Sequence, residues 1–230
     1  MAAYKISIII PAYNEKNTIR AVIKRLINAD FGIDKEIIVV NDGSTDGTQD
    51  ILKEITEKEV IVAHHKVNLG KGAAIRTALK HISGDIIIIQ DADLEYPPEQ
   101  CKDLIRPILD GQADVIYGSR FLGIHRVFMV WHYFGNKLVT FLANILYNTT
   151  LTDVEVGYKI FTRQALEGII IRSNRFDFET EFTAKIFKKR LRVVEAPIIY
   201  YGRGYSEGKK ITWKDAFPAI WALIKYRFVD

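Results

Sequence analysis

Asp85-Ile86-Ile87-Ile88-Ile89-Gln90-Asp91-Ala92-Asp93-Leu94-Glu95-Tyr96-Pro97-Pro98 says more about the architecture of this chain than any other segment. Four isoleucines in a row, between polar residues, read as a strand buried on both faces. Three carboxylates follow at once, at i, i+2 and i+4. Packing does not explain them. Left unneutralised they repel one another, so the arrangement calls for a cation. Mg²⁺ or Mn²⁺ suits such oxygen ligands, and the remaining coordination positions suit a diphosphate. The alternative is that Asp91, Asp93 and Glu95 serve as turn and capping acids ahead of Pro97-Pro98.

Outward from this strand the chain alternates strand and helix patterns with short breaks. Upstream, strands are expected at 5–10, 36–40 and 60–63, with helices over 15–28, from the 41–47 turn through 57, and over 72–81. Downstream come a helix over 98–109 and a strand at 114–118. Nearly continuous aliphatic strands predict a mostly parallel sheet flanked by helices, an α/β fold. Ligands of such sheets sit beyond the carboxyl ends of the strands, where the acidic segment and the other strand-to-helix loops fall.

The second half is less regular. A helix is expected over 127–148, with Trp131, Phe134, Leu138, Phe141 and Ile145 on one face. His132, Asn136, Thr140, Asn144 and Asn148 form a polar stripe on it at spacing four. Strands are expected at 157–161 and 191–196, and a helix over 179–188. A last amphipathic segment spans 213–228, with Phe217, Ile220, Trp221, Ile224 and Phe228 in register and a kink at Pro218.

The 230 residues suit one domain, and 48% hydrophobic with 26% charged residues is ordinary globular composition. One cysteine, Cys101, excludes an internal disulfide and fits a reducing compartment. There is no signal-peptide pattern at the N-terminus, and no apolar run of the roughly 18 to 20 residues that a membrane span needs. A cytoplasmic protein is expected. Residues 1–118 carry 14 Lys+Arg against 18 Asp+Glu, a net of −4, and residues 119–230 carry 18 against 10, a net of +8. Either the second half faces something anionic, or the charges are solvated surface. Nucleic acid is not the expected partner, since no basic run is interleaved with aromatics.

Three further loops follow strands. In Pro11-Ala12-Tyr13-Asn14-Glu15, Pro11 ends the strand and Tyr13 offers a flat face with a polar tip to a base or ribose. Asn14 and Glu15 equally suit a helix start. In Val40-Asn41-Asp42-Gly43-Ser44-Thr45-Asp46-Gly47-Thr48, Asp42 can accept hydrogen bonds from a base or ribose. Alternatively the segment is a plain turn with Asp46 as cap; it is not a P-loop, because no Gly-Lys-Ser/Thr follows at the required spacing. In Asn68-Leu69-Gly70-Lys71-Gly72, backbone N–H groups and Lys71 could meet an anion, and a plain loop fits equally.

Together, four such loops after four consecutive strands resemble the family 2 glycosyltransferases with the GT-A fold, over residues 4–120. Gly118-Ser119-Arg120, the acidic segment, and Arg203-Gly204-Tyr205-Ser206-Glu207-Gly208-Lys209 are similar to the dolichol-phosphate mannose synthase branch. Its Arg-x-Tyr-x-Glu-x-Lys pattern is matched by Arg203, Tyr205, Glu207 and Lys209. The resemblance implies a single Rossmann-like GT-A domain over 1–230, with a nucleotide-sugar half (1–118) and an acceptor half (119–230). It implies that Pro11, Tyr13, Glu15, Val40 and Asp42 line the nucleoside pocket. Asp91, Ala92 and Asp93, with Glu95, would hold Mg²⁺ or Mn²⁺ and the diphosphate. Asp93, Arg120, Arg203 and Lys209 would be the catalytic groups, the cations contacting donor or acceptor phosphates. Asn41 stands where many relatives have Asp, and Glu95 where glutamine is frequent, which leaves nucleotide and metal preference open.

An inverting transfer builds charge on the departing nucleoside diphosphate, where a metal and Arg/Lys groups act most effectively. A hydroxyl acceptor needs a general base; a phosphate monoester, ionised with a second pKa of about 6, needs cations instead. The net +8 of the second half favours a lipid phosphate acceptor, and the resemblance implies a polyprenyl or dolichyl phosphate with GDP-mannose or a UDP-hexose as donor. The amphipathic segments, with Arg126, Lys137, Lys209, Lys210, Lys225 and Arg227 nearby, fit peripheral membrane contact or a membrane partner protein, or simple core packing. Two other functions stand beside this one. A family 2 transferase acting on a sugar hydroxyl would take Glu179 or Glu181 as base. A non-catalytic nucleotide-sugar-binding subunit would have no use for the full set of acids.

Overall fold

A computed structural model describes residues 4–127, 129–204 and 215–229. Seven strands form one sheet: β1 (Lys5–Ala12), β2 (Asp34–Asp42), β3 (Val60–His65), β4 (Ile86–Ile89), β5 (Val115–Ser119), β6 (Lys159–Thr162) and β7 (Val193–Pro197), in the order β3-β2-β1-β4-β6-β5-β7. β1 to β4 pair in parallel, β6 runs antiparallel to both β4 and β5, and β7 is parallel to β5. The aliphatic runs explain the placement: Ile8 and Ile10 of β1, Ile37 to Val40 of β2 and all of β4 are fully buried, as two-sided cover by helices demands.

The helices are α1 (Ile19–Asn28), α2 (Thr48–Lys53), α3 (Lys71–Ala78), α4 (Cys101–Leu104), α5 (Arg106–Leu109), α6 (Val130–Tyr147), α7 (Phe178–Lys188) and α8 (Ala216–Phe228). The expected helix over 98–109 is divided near Pro107, whose missing N–H removes a bond from the run. Residues 15–18 form a turn ahead of α1, with Ile19 N–H donating to Glu15 O at 2.9 Å. Pro11 does not end the first strand. Its nitrogen faces the β4 side, beyond the last β1–β4 pair, Ile9 with Ile89, so no ladder bond is lost and β1 continues to Ala12. Pro218 produces no kink either. It lies in the first turn of α8, where N–H groups have no intrahelical acceptor anyway.

α6 and α8 carry the main departure from simple core packing. On α6 the polar stripe faces the protein: Asn136 and Thr140 are buried, while Trp131 is 80% exposed and Phe134, Phe141 and Ile145 are open to solvent. α8 buries Ala219, Ala222, Leu223 and Tyr226 and exposes Phe217, Trp221 and Phe228. The two helices pack side by side, Tyr147 Oη donating to Leu223 O at 2.6 Å. Among the described residues no helix is long and apolar enough to cross a membrane.

Candidate active site

Beyond the carboxyl ends of β1, β2 and β4 lies a cavity of about 490 Å³. Asp91, Ala92, Asp93 and Glu95 line it from the loop after β4. Leu94 adopts φ +62°, a left-handed turn that lets Asp93 accept the Glu95 N–H at 3.1 Å. Pro11, Tyr13 and Glu15 enter from the loop after β1, Arg120 from the end of β5, and Arg203 from the segment after β7. The cavity therefore gathers most of the residues marked in the sequence, although they are up to 192 positions apart (Pro11 to Arg203).

Arg203 sits among the acids as an internal cation. Its guanidinium is 3.0 Å from Asp93 Oδ2, 3.1 Å from Glu15 Oε1 and 3.3 Å from Glu95 Oε1, and its backbone N–H donates to Glu95 at 2.8 Å. Burial pushes the Asp93 carboxyl up to about 7; Asp91 and Glu95 add to the rise and Arg203 opposes it. Asp91 instead pairs with Lys71 at 2.8 Å. Lys71 also reaches Glu179 at 3.0 Å, and Glu179 in turn takes the fully buried Lys159. Burial lowers the Lys71 pKa, but Asp91 and Glu179 outweigh it and the ammonium is held firmly charged. Gly157 packs against this pair so closely that a Cβ there would strike Asp91 Oδ2.

With Arg203 on one side and Lys71 on the other, the three acids do not converge. Among the described residues no three His, Cys, Asp or Glu side chains form a ready metal cage. The donor set still fits a hard cation. The donors are all oxygen, and a guanidinium charge already balances them in part, as a divalent ion would.

Arg120 is positioned by Asp153. Its Nε and Nη2 each donate at 2.7 Å and its backbone N–H at 3.1 Å, and Asn136 of α6 adds a fourth donor at 3.2 Å. Burial lowers the Arg120 pKa but the Asp153 charge raises it further, so the guanidinium stays charged. Asp42 lines the cavity with both oxygens filled: His65 at 2.6 Å, Gly70 N–H at 2.7 Å, Asn68 Nδ2 at 2.8 Å and Leu69 N–H at 2.9 Å. It braces the 68–71 loop and thereby aims Lys71. Val40 is fully buried one step deeper in β2, on the same face as Asp42, and is not part of the cavity wall. Lys209 lies outside the described residues.

Residues 7–170 match the family model described as Glycosyl transferase family 2. The chain belongs to that family. This glycosyltransferase is 30% identical over 231 residues to a dolichol-phosphate mannosyltransferase of Pyrococcus furiosus, covering 96% of the chain and 64% of that relative. So it spans less than two thirds of that protein's length. It is also 30% identical over 234 residues to the UDP-N-acetylglucosamine–dolichyl-phosphate N-acetylglucosaminyltransferase of Methanococcus voltae, covering 92% of both. Glucosyl-3-phosphoglycerate synthase of Mycobacterium tuberculosis, solved with Mn²⁺, UDP and glucosyl-3-phosphoglycerate, superposes with a TM-score of 0.75 at 22% identity, over 100% of this chain and 82% of that one. That likeness establishes the shared GT-A-type fold.

Some residues of the candidate site carried no strong signal in the sequence. Asp153, Glu155 and Gly157 precede β6 in a segment, Thr152-Asp153-Val154-Glu155-Val156-Gly157, whose alternating acids echo Asp91-Ala92-Asp93. That echo was the available clue. The two acids named as candidate bases are both engaged. Glu179 holds Lys71 and Lys159. Glu181, fully buried, holds Lys185 at 2.7 Å and the Ser173 N–H at 2.6 Å, away from the cavity.

Proposed function

We propose that this glycosyltransferase moves a hexose, with inversion, from a nucleotide sugar (GDP-mannose or a UDP-hexose) to a polyprenyl or dolichyl phosphate at a membrane surface. One observation carries this reading. α6 and α8 line the cavity with inner residues such as His132, Asn136 and Ala219, while the same two helices expose aromatic outer faces. A lipid held by those faces would deliver its headgroup to the cavity. The names of the Pyrococcus and Methanococcus relatives support the acceptor class.

Asp91, Asp93 and Glu95 would hold Mg²⁺ or Mn²⁺, which when bound neutralises charge on the leaving diphosphate. Pro11 and Tyr13 would pack against the nucleoside. Arg203, within reach of Asp93 and Glu95, would exchange carboxylates for phosphate oxygens as the donor enters. Arg120, locked in place by Asp153, would meet the acceptor phosphate.

The test is incubation with radiolabelled GDP-mannose, UDP-glucose and UDP-N-acetylglucosamine, each with polyprenyl phosphate, with and without Mg²⁺ or Mn²⁺. A labelled, metal-dependent lipid product is expected, and Asp93→Asn should lower its rate by about a hundredfold to a thousandfold. Label appearing only on soluble glycans would refute the lipid acceptor.

A further inference from the structure

Glu155 is the acid of the cavity that the proposed transfer leaves without a task. It lines the cavity between Asp153, which holds Arg120, and Gly157, which presses on Asp91. Each other acid lining the wall has a partner: Arg203 for Glu15, Asp93 and Glu95, Lys71 for Asp91 and Glu179, and the 68–70 loop for Asp42; Asp215 too is engaged. The Glu155 carboxyl has no hydrogen bond or ion pair among the described residues. The charged groups that act on it are Arg120 at the end of β5, Asp153 on its own segment, Glu179 of α7 and Lys159 of β6. His132 of α6 and Asp215 ahead of α8 line the same cavity. Burial pushes the Glu155 carboxyl up to about 7, although Arg120 pulls the other way.

A half-buried carboxyl in the cavity wall, with no hydrogen bond or ion pair among the described residues and within the field of Arg120, is placed to meet a polar group of a ligand. We infer that Glu155 and the acceptor phosphate share a single proton: the carboxylate takes it from an arriving phosphate monoester and returns it as an O–H···O hydrogen bond to the dianion that Arg120 holds. This inference rests on the phosphate-acceptor reading. A phosphate monoester loses its second proton near pH 6. One guanidinium does not balance both a phosphate dianion and an unpaired carboxylate, so the proton given up by the monoester stays between the two; burial, which raises the Glu155 carboxyl, favours keeping it there and leaves the phosphate in its nucleophilic, doubly charged form. A phosphate oxygen then forms the bond to the anomeric carbon. The bond from that carbon to the donor diphosphate breaks, and its electron pair leaves with the nucleoside diphosphate. Glu155 keeps its proton while the singly charged diester departs, then returns it to solvent.

The signature is a basic limb that belongs to Glu155. Once ionised, it faces a dianion and repels it, so acceptor use falls as pH rises. The measurement is kcat/KM for farnesyl phosphate from pH 5.5 to 9, with saturating donor and Mn²⁺, for the parent and Glu155→Gln. The parent should fall about tenfold per pH unit above roughly pH 8, while the glutamine variant, which cannot ionise, should hold a plateau. Identical basic limbs would overturn the inference. Should the variant fail to bind donor nucleotide, farnesyl phosphate affinity of the parent decides alone. A tenfold weakening per unit above roughly pH 8 supports the shared proton, and a pH-independent affinity refutes it. Failure of the parent to use any phosphate acceptor would instead bring down the acceptor reading itself.

Discussion

α1 and α6 are both amphipathic, yet they face opposite ways. α1 buries Ile19, Val22, Ile23 and Leu26 against the sheet and leaves its polar residues in water. α6 turns Asn136 and Thr140 inward, where they serve Asp153 and the Val154 N–H, and leaves Trp131, Phe134 and Phe141 outside. A helical hydrophobic period therefore says that a helix has two faces, but not which solvent each face meets. Water is the outer solvent for α1. For α6 and its neighbour α8, the exposed aromatic faces suit the apolar side of a lipid interface.

The largest effect expected from this contrast is on stability. Leu26→Ala in α1 should lose about 2–5 kcal/mol by chemical denaturation, as a fully buried leucine does. Phe141→Ala in α6, on an exposed side chain, should stay within about 0.5 kcal/mol. Comparable losses would mean that α6 is ordinary core. Next, Trp131→Ser combined with Trp221→Ser should weaken binding to anionic phospholipid vesicles by roughly tenfold or more, each indole contributing on the order of 1.5 kcal/mol or above. Donor nucleotide affinity should not change. Vesicle binding that survives the double variant would leave a partner protein as the occupant of this face.

The inward stripe gives a smaller effect. Asn136→Ala removes one donor from the carboxylate that positions Arg120, and should cost about 1 kcal/mol of stability. Its activity loss should appear in kcat/KM for the acceptor; a loss confined to donor KM would reassign Arg120 to the donor.

The smallest is a pH effect on the donor side. Asp93 keeps its proton to about pH 7 instead of the ordinary 3.8, so between those values the folded state binds more protons than the unfolded one. Stability without metal should therefore fall as pH rises through that interval. A divalent ion needs the carboxylate, so the gain in melting temperature on adding Mg²⁺ should grow by about a few degrees from pH 6 to 8. A gain that does not change with pH would detach Asp93 from the ion.

Much of the site was legible because its residues come in local patterns. Acids spaced i, i+2, i+4 after an isoleucine strand are informative wherever they fold, and Arg203 stands in a motif of its own. The partners of these groups were not legible. That Asp153 would hold Arg120, or that Lys71 would stand between Asp91 and Glu179, depends on segments 33 and 20 to 108 positions apart in the chain. Nothing in the local sequence of Asp42 distinguishes a ligand acceptor from a brace whose four lone-pair sites are all taken.

The sequence alone determined the alternation of strand and helix, the burial of the aliphatic strands and the loops that line the cavity, because side-chain period and turn chemistry are local properties of the backbone. Only the tertiary structure decided that Arg203 occupies the acid cluster, that Glu155 has no partner among the described residues, and that two helices carry their aromatic faces outward. Those outcomes depend on which groups meet across the chain and on which face of each element finds cover. A one-dimensional pattern holds no information about either.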